Sequence, residues 1–401
     1  MKRLLSVLGA LVLVLAVVGV VVWQPRDPEP APPAPLKDFS LQYADGSPLW
    51  SSKDPQTPLV EQVLAELRPQ GSFQFDDLQR AGAKIVTTLD PKAQAAGIEV
   101  LEANAPAVAG SIRSSLTAVD PATGGVLAYV PGAKGDDKTD YAGGVLREPG
   151  SAFFPVDVVA AVQNGQTLDS TFDGSAPRKI AGVTIRNEKN VQCSKQCTVR
   201  EALAKSVNTA MYDVMVNKVG MRSTVASARQ AGVPERVVVA GEEKKLLVGE
   251  GGNVPGAGVV LGGDEAAMRP LDLTTVYATF AAGGVRHQTH FVTQVSGDNG
   301  HLLYQTPDSA SSAFHADRAQ SKAISDQVTA VLKETTRCPG VVCRVADYEL
   351  PGTLDQLSHT WTVGYTDRMA ITVLVDDVQP LQPVRDDGLA TTIWQKFAER
   401  G

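Results

Sequence analysis

The stretch Arg147-Glu148-Pro149-Gly150-Ser151-Ala152-Phe153-Phe154-Pro155 is the most informative part of this 401-residue chain. A serine follows Pro-Gly, an apolar helical run comes after it, and Phe154 stands three residues beyond Ser151. Residues three apart are neighbours on one helix face. A serine hydroxyl near its free pKa needs an adjacent base to become a good nucleophile, and a phenyl ring cannot accept a proton. The pattern is therefore typical either of a helix N-cap at Ser151 or of a nucleophile that lacks its base.

The same stretch resembles the active-site segment of the penicillin-binding proteins. That segment reads Pro-Gly-Ser-x-Phe-Lys-Pro in the family, so Phe154 stands where the Ser-x-x-Lys lysine belongs. Residues 198–210 (TVREALAKSVNTA) resemble the family's Ser-x-Asn segment. The resemblance implies a candidate nucleophile at Ser151, a proton relay at Ser206 and a substrate-positioning amide at Asn208.

The third family motif is Lys-Thr-Gly on a strand, and we count back to it from residues 361–366 (WTVGYT), which resemble the end of the following strand. The count places Leu350, Pro351, Gly352 and Thr353 opposite Lys-Thr-Gly-Thr. Gly352 and Thr353 match and are candidate binding residues. Leu350 cannot supply a positive charge, and Pro351 lacks a side-chain hydroxyl and a backbone N–H. Two different lysine roles are therefore predicted to be lost, at Phe154 and at Leu350.

The resemblance continues in order from about residue 84 to near the C-terminus. Its further segments are residues 85–94 (IVTTLDPKAQ), 118–128 (AVDPATGGVLA), 269–273 (RPLDL) and 277–284 (YATFAAGG). It implies an α+β fold of the transpeptidase/β-lactamase type, with an antiparallel sheet, a helical lobe and a cleft between them. About sixty residues precede this region after the apolar N-terminal run, which is too few for a glycosyltransferase domain. We therefore expect a transpeptidase region like that of the bifunctional class A proteins, without the glycosyltransferase domain.

The apolar run at residues 4–23 is long enough to cross a bilayer and follows Lys2 and Arg3. No small-x-small cleavage site follows it, which favours an uncleaved single-pass anchor over a signal peptide. The basic N-terminus is expected to stay in the cytoplasm, with the rest outside the cell membrane. The predicted order is an anchor (1–23), a Pro-rich linker (24–36), a membrane-proximal region (37–109) and a transpeptidase-like domain (110–401).

Hydrophobic periodicity predicts mixed secondary structure. We expect hairpins at 116–130 and 360–375 and helices at 156–162, 199–219, 271–282, 321–334 and 390–399.

The four cysteines fall into two close pairs, Cys193/Cys197 and Cys338/Cys343. Close spacing in an exported chain favours two local disulfides without excluding the other connectivities. A metal site is the alternative, but neither pair is Cys-x-x-Cys, so we predict no metal. We expect the disulfides to stiffen the rims of the cleft.

Composition excludes some classes of function. The formal net charge is -7, which gives no reason to expect nucleic acid binding, and no cofactor motif is evident. With 43% hydrophobic residues the chain has ample material for a large core.

Three functions fit these observations. The first is a catalytically degraded D,D-transpeptidase that acts in cell-wall synthesis by binding or scaffolding other proteins of that process. The second is a residual D,D-transpeptidase or carboxypeptidase in which another group, such as Lys205, activates Ser151. The third is a non-catalytic receptor for peptidoglycan stem peptides or β-lactams, which would use Ser206, Asn208, Gly352 and Thr353.

Overall fold

Two five-stranded sheets, four two-stranded sheets and a helical lobe make up the described structure. This computed structural model describes residues 35–71, 73–104, 112–132, 138–334, 341–349, 357–377 and 388–400. The helices are α1 (Pro58–Leu67), α2 (Phe75–Ala81), α3 (Pro91–Ala103), α4 (Phe154–Gln163), α5 (Val199–Lys205), α6 (Asn208–Val214), α7 (Met221–Ala231), α8 (Pro270–Ala281), α9 (Arg318–Leu332) and α10 (Leu389–Ala398). The strands are β1 (Ser40–Gln42), β2 (Pro48–Ser51), β3 (Lys84–Thr87), β4 (Ile112–Val119), β5 (Val126–Val130), β6 (Thr171–Phe172), β7 (Arg178–Ile180), β8 (Val183–Ile185), β9 (Cys197–Thr198), β10 (Arg236–Val239), β11 (Glu242–Lys245), β12 (Val285–Arg286), β13 (Val292–Ser296), β14 (Leu302–Gln305), β15 (Ser311–Ser312), β16 (Val342–Glu349), β17 (Leu357–Tyr365) and β18 (Ala370–Asp377).

The central sheet has the order β16-β17-β18-β4-β5, and all its neighbouring strands are antiparallel. Both predicted hairpins are confirmed as β4–β5 and β17–β18. In the first turn the Asp120 carboxylate accepts hydrogen bonds from the Thr123 hydroxyl (2.7 Å) and the Ala122 N–H (2.8 Å). Gly124 has a φ of +81°, and a Cβ there would lie 2.6 Å from the Gln288 carbonyl oxygen, so the turn requires glycine. This sheet joins the first and last parts of the domain.

Strand β18 shows how the sheet separates two cores. Ile371 and Val373 alternate with Thr372 and belong to the apolar cluster that α10 completes with Trp394. On the opposite face the Thr372 hydroxyl accepts a hydrogen bond from the hydroxyl of Thr274 on α8, at 2.8 Å. Because successive side chains of a strand point to opposite faces, β18 contributes to the apolar cluster on one face and contacts the helical lobe on the other.

The second sheet has the order β14-β13-β3-β1-β2, so it ties the region before residue 104 to the segment after α8. After β3 the Asp90 carboxylate accepts hydrogen bonds from the Lys92 and Ala93 N–H groups, both at 2.8 Å, and caps α3. The predicted domain boundary at 109/110 lies outside the described residues and stays a prediction.

The predicted helix at 199–219 is wrong as a single helix. A capping box between Thr198 and Glu201 starts α5, but Ser206 has a left-handed backbone (φ 57°) and ends it. The chain resumes as α6 and finishes in a π-helical turn, Met215–Val219. The break turns Ser206 out of the regular helix surface. The other four predicted helices correspond to α4, α8, α9 and α10.

The predicted anchor at residues 4–23 lies outside the described residues. Within the part of the chain that the structure describes, helices are too short or too polar to cross a bilayer.

Glu66, at the end of α1, fastens this helix to β13. Its carboxylate accepts hydrogen bonds from the backbone N–H groups of Phe291 and Val292 (3.1 Å for the second). Burial raises the pKa of Glu66 to about 7, although these two hydrogen bonds act in the opposite direction.

We predict that Glu66→Gln removes a pH-dependent loss of stability. A carboxyl whose pKa rises from 4.5 in the unfolded chain to about 7 in the fold binds more protons when folded, so it destabilises the fold as pH rises through this window. Relative to Glu66→Gln, wild type should lose on the order of 1–2 kcal/mol between pH 4.5 and 8, after allowing for partial exposure. Urea denaturation at both pH values measures this difference. Glu61→Gln on the same helix is the control, and an equal pH slope for wild type and Glu66→Gln would contradict the prediction.

Candidate active site

The segment that leads to Ser151 is clamped to the central sheet. The Arg147 guanidinium donates to Asp376 on β18, with Nη2 at 2.6 Å from Oδ2, and Asp376 is buried. The Glu148 carbonyl oxygen accepts two hydrogen bonds from β17, from Trp361 Nε1 and His359 Nε2, both at 2.8 Å. These contacts fix the backbone immediately before the serine.

His359 acts in this clamp as a neutral side chain. Burial lowers the pKa of His359 to about 4, even though the hydrogen bond to Glu148 raises it. The neutral ring donates from Nε2 to the Glu148 carbonyl and accepts at Nδ1 from the Ser358 hydroxyl, at 2.7 Å. Nε2 therefore holds the backbone before Ser151, while Nδ1 is occupied by the Ser358 side chain.

Two glycines bring the segment close to its neighbours. Gly150 has a φ of +51° and donates from its N–H to the Gly262 carbonyl at 3.1 Å. A Cβ on Gly262 would lie 2.1 Å from the Gly150 carbonyl oxygen, so a larger residue there would displace the serine's neighbour.

Ser151 lies in a 3₁₀ turn (Gly150–Phe153) that runs into α4. The cap positions of the turn and of the helix are Pro149 and Phe153, and neither makes a side-chain cap hydrogen bond. The alternative that Ser151 is an N-cap is therefore wrong.

A buried arginine on β16 completes the surroundings of Ser151. Arg344 donates from Nη2 to the Ser206 hydroxyl (2.8 Å), from Nη1 to the Leu203 carbonyl (2.6 Å) and from Nε to the Ser151 carbonyl. The Ser206 hydroxyl donates in turn to Ser151 Oγ at 3.2 Å. The Arg344 Cζ lies 5.4 Å from the centre of the Phe154 ring, within the range of a cation–π contact. Arg344, Phe154 and Ser151 are 3%, 0% and 6% exposed, so this cluster is largely shielded from water.

Two of the hydrogen bonds in this cluster run in sequence toward Ser151 Oγ. Arg344 donates to Ser206, and Ser206 donates to Ser151 Oγ, which is the reverse of removing a proton from the serine. A guanidinium has no acceptor atom and is not deprotonated in proteins. The Phe154 ring lies against the Arg344 guanidinium. The arrangement can hold Ser151 in place and polarise it, but it contains no proton acceptor to activate the serine.

The sequence analysis missed Arg344. The count from residues 361–366 placed the strand motif at Leu350, Pro351, Gly352 and Thr353, which lie outside the described residues, so that placement stays a prediction. Strand β16 brings Arg344, six positions before Leu350, to the serine. The signal for it was a single charged residue inside the apolar run VVCRVA at 341–346.

The other predicted site residues divide into two groups. Ser206 reaches Ser151, as expected, whereas the Asn208 amide donates to the Arg186 carbonyl at 3.2 Å. Lys205, the alternative base, pairs with Glu201 at 3.1 Å, with 52% of its side chain exposed.

A cavity of about 460 Å³ borders this cluster at Ser206, Arg344 and Val345. Its rim carries two ion pairs, Lys205 with Glu201 and Arg200 with Glu334, the second at 2.7 Å.

The disulfide between Cys193 and Cys197 is confirmed. Cys197 directly precedes Thr198, whose hydroxyl caps the helix that ends at Ser206. The sulfur atoms of Cys193 and Cys197 lie near the Glu201 carboxylate, but cysteines in a disulfide do not offer thiolate ligands to a metal. Cys343 is also disulfide-bonded and directly precedes Arg344, while Cys338 lies outside the described residues.

Comparison with known proteins agrees with the resemblance. Penicillin-binding protein 1A of Mycolicibacterium smegmatis is 31% identical over 396 residues, which cover 94% of this chain and 48% of that protein. Penicillin-binding protein 1A of Mycobacterium tuberculosis is 29% identical over 367 residues, covering 86% of this chain and 43% of that protein. The chain thus spans about half the length of these curated relatives.

Among solved structures, the PonA1 protein from Mycobacterium tuberculosis in complex with penicillin V matches with a TM-score of 0.74 and 27% identity. The match covers 84% of this chain and 90% of that one, and the expected mixed helix-and-sheet transpeptidase fold is confirmed. The family model described as penicillin binding protein transpeptidase domain matches residues 114–392, more than half of the chain. This protein therefore belongs to the penicillin-binding protein transpeptidase family.

Proposed function

We propose that this protein is a catalytically silent member of its family that acts in peptidoglycan synthesis by binding or scaffolding other proteins. The observation that carries the proposal is the cluster of Ser151, Ser206, Phe154 and Arg344. It retains the serine and removes the group that would accept its proton. A general base typically contributes about a hundred- to ten-thousand-fold to the rate of such a reaction.

Lys205 and His359 are already committed to other contacts, and burial disfavours the charged form of Asp157. Lys205 pairs with Glu201, and both ring nitrogens of His359 are engaged, one by the Glu148 carbonyl and the other by the Ser358 hydroxyl. Asp157, on α4, is fully buried, and burial raises its pKa well above the usual range despite the nearby Thr224 hydroxyl. Neither carboxylate oxygen of Asp157 has a hydrogen-bond partner of good geometry among the described residues. These contacts make an unconventional base for Ser151 the weaker alternative.

The proposed location is outside the cell membrane, with residues 4–23 as the anchor. The apolar run with Lys2 and Arg3 before it supports this orientation. The Cys193–Cys197 disulfide supports an oxidising compartment.

We predict that the protein forms no covalent adduct during long incubation with excess penicillin V. The serine hydroxyl has a donor beside it instead of an acceptor, so attack on the β-lactam carbonyl should be slow. Intact-protein mass spectrometry measures the adduct, with Mycobacterium tuberculosis PonA1 as the positive control and circular dichroism as the check of folding. A penicilloyl mass increase that disappears in Ser151→Ala would show that Ser151 is a working nucleophile. A raised Tm without a mass increase would favour the non-catalytic receptor.

We predict that Phe154→Lys does not restore acylation and destabilises the fold by on the order of 3–5 kcal/mol. The new ammonium would lie in a fully buried position beside the Arg344 guanidinium, so two cations would share one desolvated space. Phe154→Leu is the matched control, because it removes the ring without adding a charge. Urea denaturation and the penicillin mass assay measure the two effects. A Phe154→Lys protein as stable as wild type and rapidly acylated would contradict the account.

A further inference from the structure

A groove of about 500 Å³ lies on the outer side of α7, away from the Ser151 cluster. Its walls are α7, the β10–β11 hairpin and residues 247–255. Four residues of α7 line this groove at the i, i+3, i+4, i+7 spacing of one helix face: Arg222, Val225, Ala226 and Arg229. This face mixes cations with small apolar side chains, whereas the opposite face of α7 is buried.

The groove is basic in a chain whose net charge is -7. Four cations line it, Arg222, Arg229, Arg236 and Lys245, with one carboxylate, Glu235. Arg222 and Lys245 make no ion pair with any residue in the described part of the chain. Cations therefore outnumber carboxylates among the residues that line the groove.

Two cations face each other across the β10–β11 hairpin. Arg236 on β10 stands directly opposite Lys245 on β11, and like charges at such positions destabilise a strand pair. Glu243 relieves part of the conflict by pairing with Arg236 at 2.6 Å, but Lys245 stays exposed. An anionic ligand on the face of the hairpin that carries Arg236 and Lys245 would offset the repulsion.

Apolar side chains lie between the charges. Val254 at the groove is 39% exposed, and Val238, on the same face of the hairpin as Arg236, is 61% exposed. Val225 on α7 is half-buried. A small inorganic anion would leave this apolar surface uncovered, and a nucleic acid would lack aromatic side chains for stacking among the groove's lining residues.

We propose that this groove docks an extended acidic segment of a partner protein. Carboxylates of the segment meet Arg222, Arg236 and Lys245, and an aliphatic side chain packs on Val225 and Val254. The charge complementarity and the alternation of basic and apolar groups support this occupant. The proposal does not depend on whether Ser151 is reactive.

Exposed ion pairs are individually weak, so the docking should be weak and sensitive to salt. The probe is a fluorescein-labelled twelve-residue peptide of Glu, Leu and Ser, titrated with the full-length protein in detergent by anisotropy. Binding should weaken at least fivefold between 50 and 300 mM salt. A peptide with Lys in place of Glu should not bind.

Lys245→Glu and Lys84→Glu form a matched pair, because each reverses the charge of an exposed strand lysine, in the groove and on β3 respectively. Lys245→Glu should weaken peptide binding by about fivefold or more, with Tm unchanged or raised because the new glutamate faces Arg236. Val254→Ser should weaken it about threefold, and Lys84→Glu should leave it unchanged. The proposal would be overturned if Lys245→Glu and Lys84→Glu weakened peptide binding equally, or if the Lys peptide bound as tightly as the Glu peptide. It would also be overturned if a single-stranded DNA oligonucleotide of matched charge bound more tightly than the Glu peptide.

Discussion

The buried guanidinium of Arg344 is the interaction on which the Ser151 region depends. It joins three parts of the fold: strand β16, the turn that carries Ser151, and the end of α5 at Leu203 and Ser206. A buried charge is costly unless its donors are satisfied, so the acceptors around Arg344 must stay in place for the fold to be stable. The same contacts hold Ser206 as a donor to Ser151. If the proposed function holds, the contacts that stabilise this region are also the ones that keep Ser151 unreactive.

The surrounding fold provides a rigid frame for that interaction. Arg147 and Glu148 attach the preceding segment to β18 and β17, and the Gly150–Gly262 approach leaves no space for a side chain at Gly262 on the other side. The left-handed Ser206 redirects the chain so that its hydroxyl faces Ser151. The disulfide-bonded Cys197 lies just before the helix that ends at Ser206, and the disulfide-bonded Cys343 lies next to Arg344 on β16.

Sequence reasoning could predict what depends on local pattern or short motifs. The two hairpins followed from turn residues such as Asp120 and Gly124, Ser206 from its motif, and the Cys193–Cys197 disulfide from spacing. It could not predict Arg344, because strand register depends on the length of the connection between β16 and β17, which counting from one strand end cannot supply. The break at Ser206 was missed because the apolar periodicity of residues 199–219 continues through it, and only tertiary contacts favour the left-handed backbone.

The state of the Arg344 guanidinium can be measured directly by nuclear magnetic resonance of the arginine side chains. With ¹⁵N-labelled protein, and Arg344→Lys to assign the signal, the account predicts a slowly exchanging Nε–H and hindered rotation of the guanidinium. These follow because its donors are held by Ser151, Leu203 and Ser206 in a buried space. A rapidly exchanging, freely rotating Arg344 guanidinium would contradict the account, because Ser206 would then be free to act on Ser151 in another way.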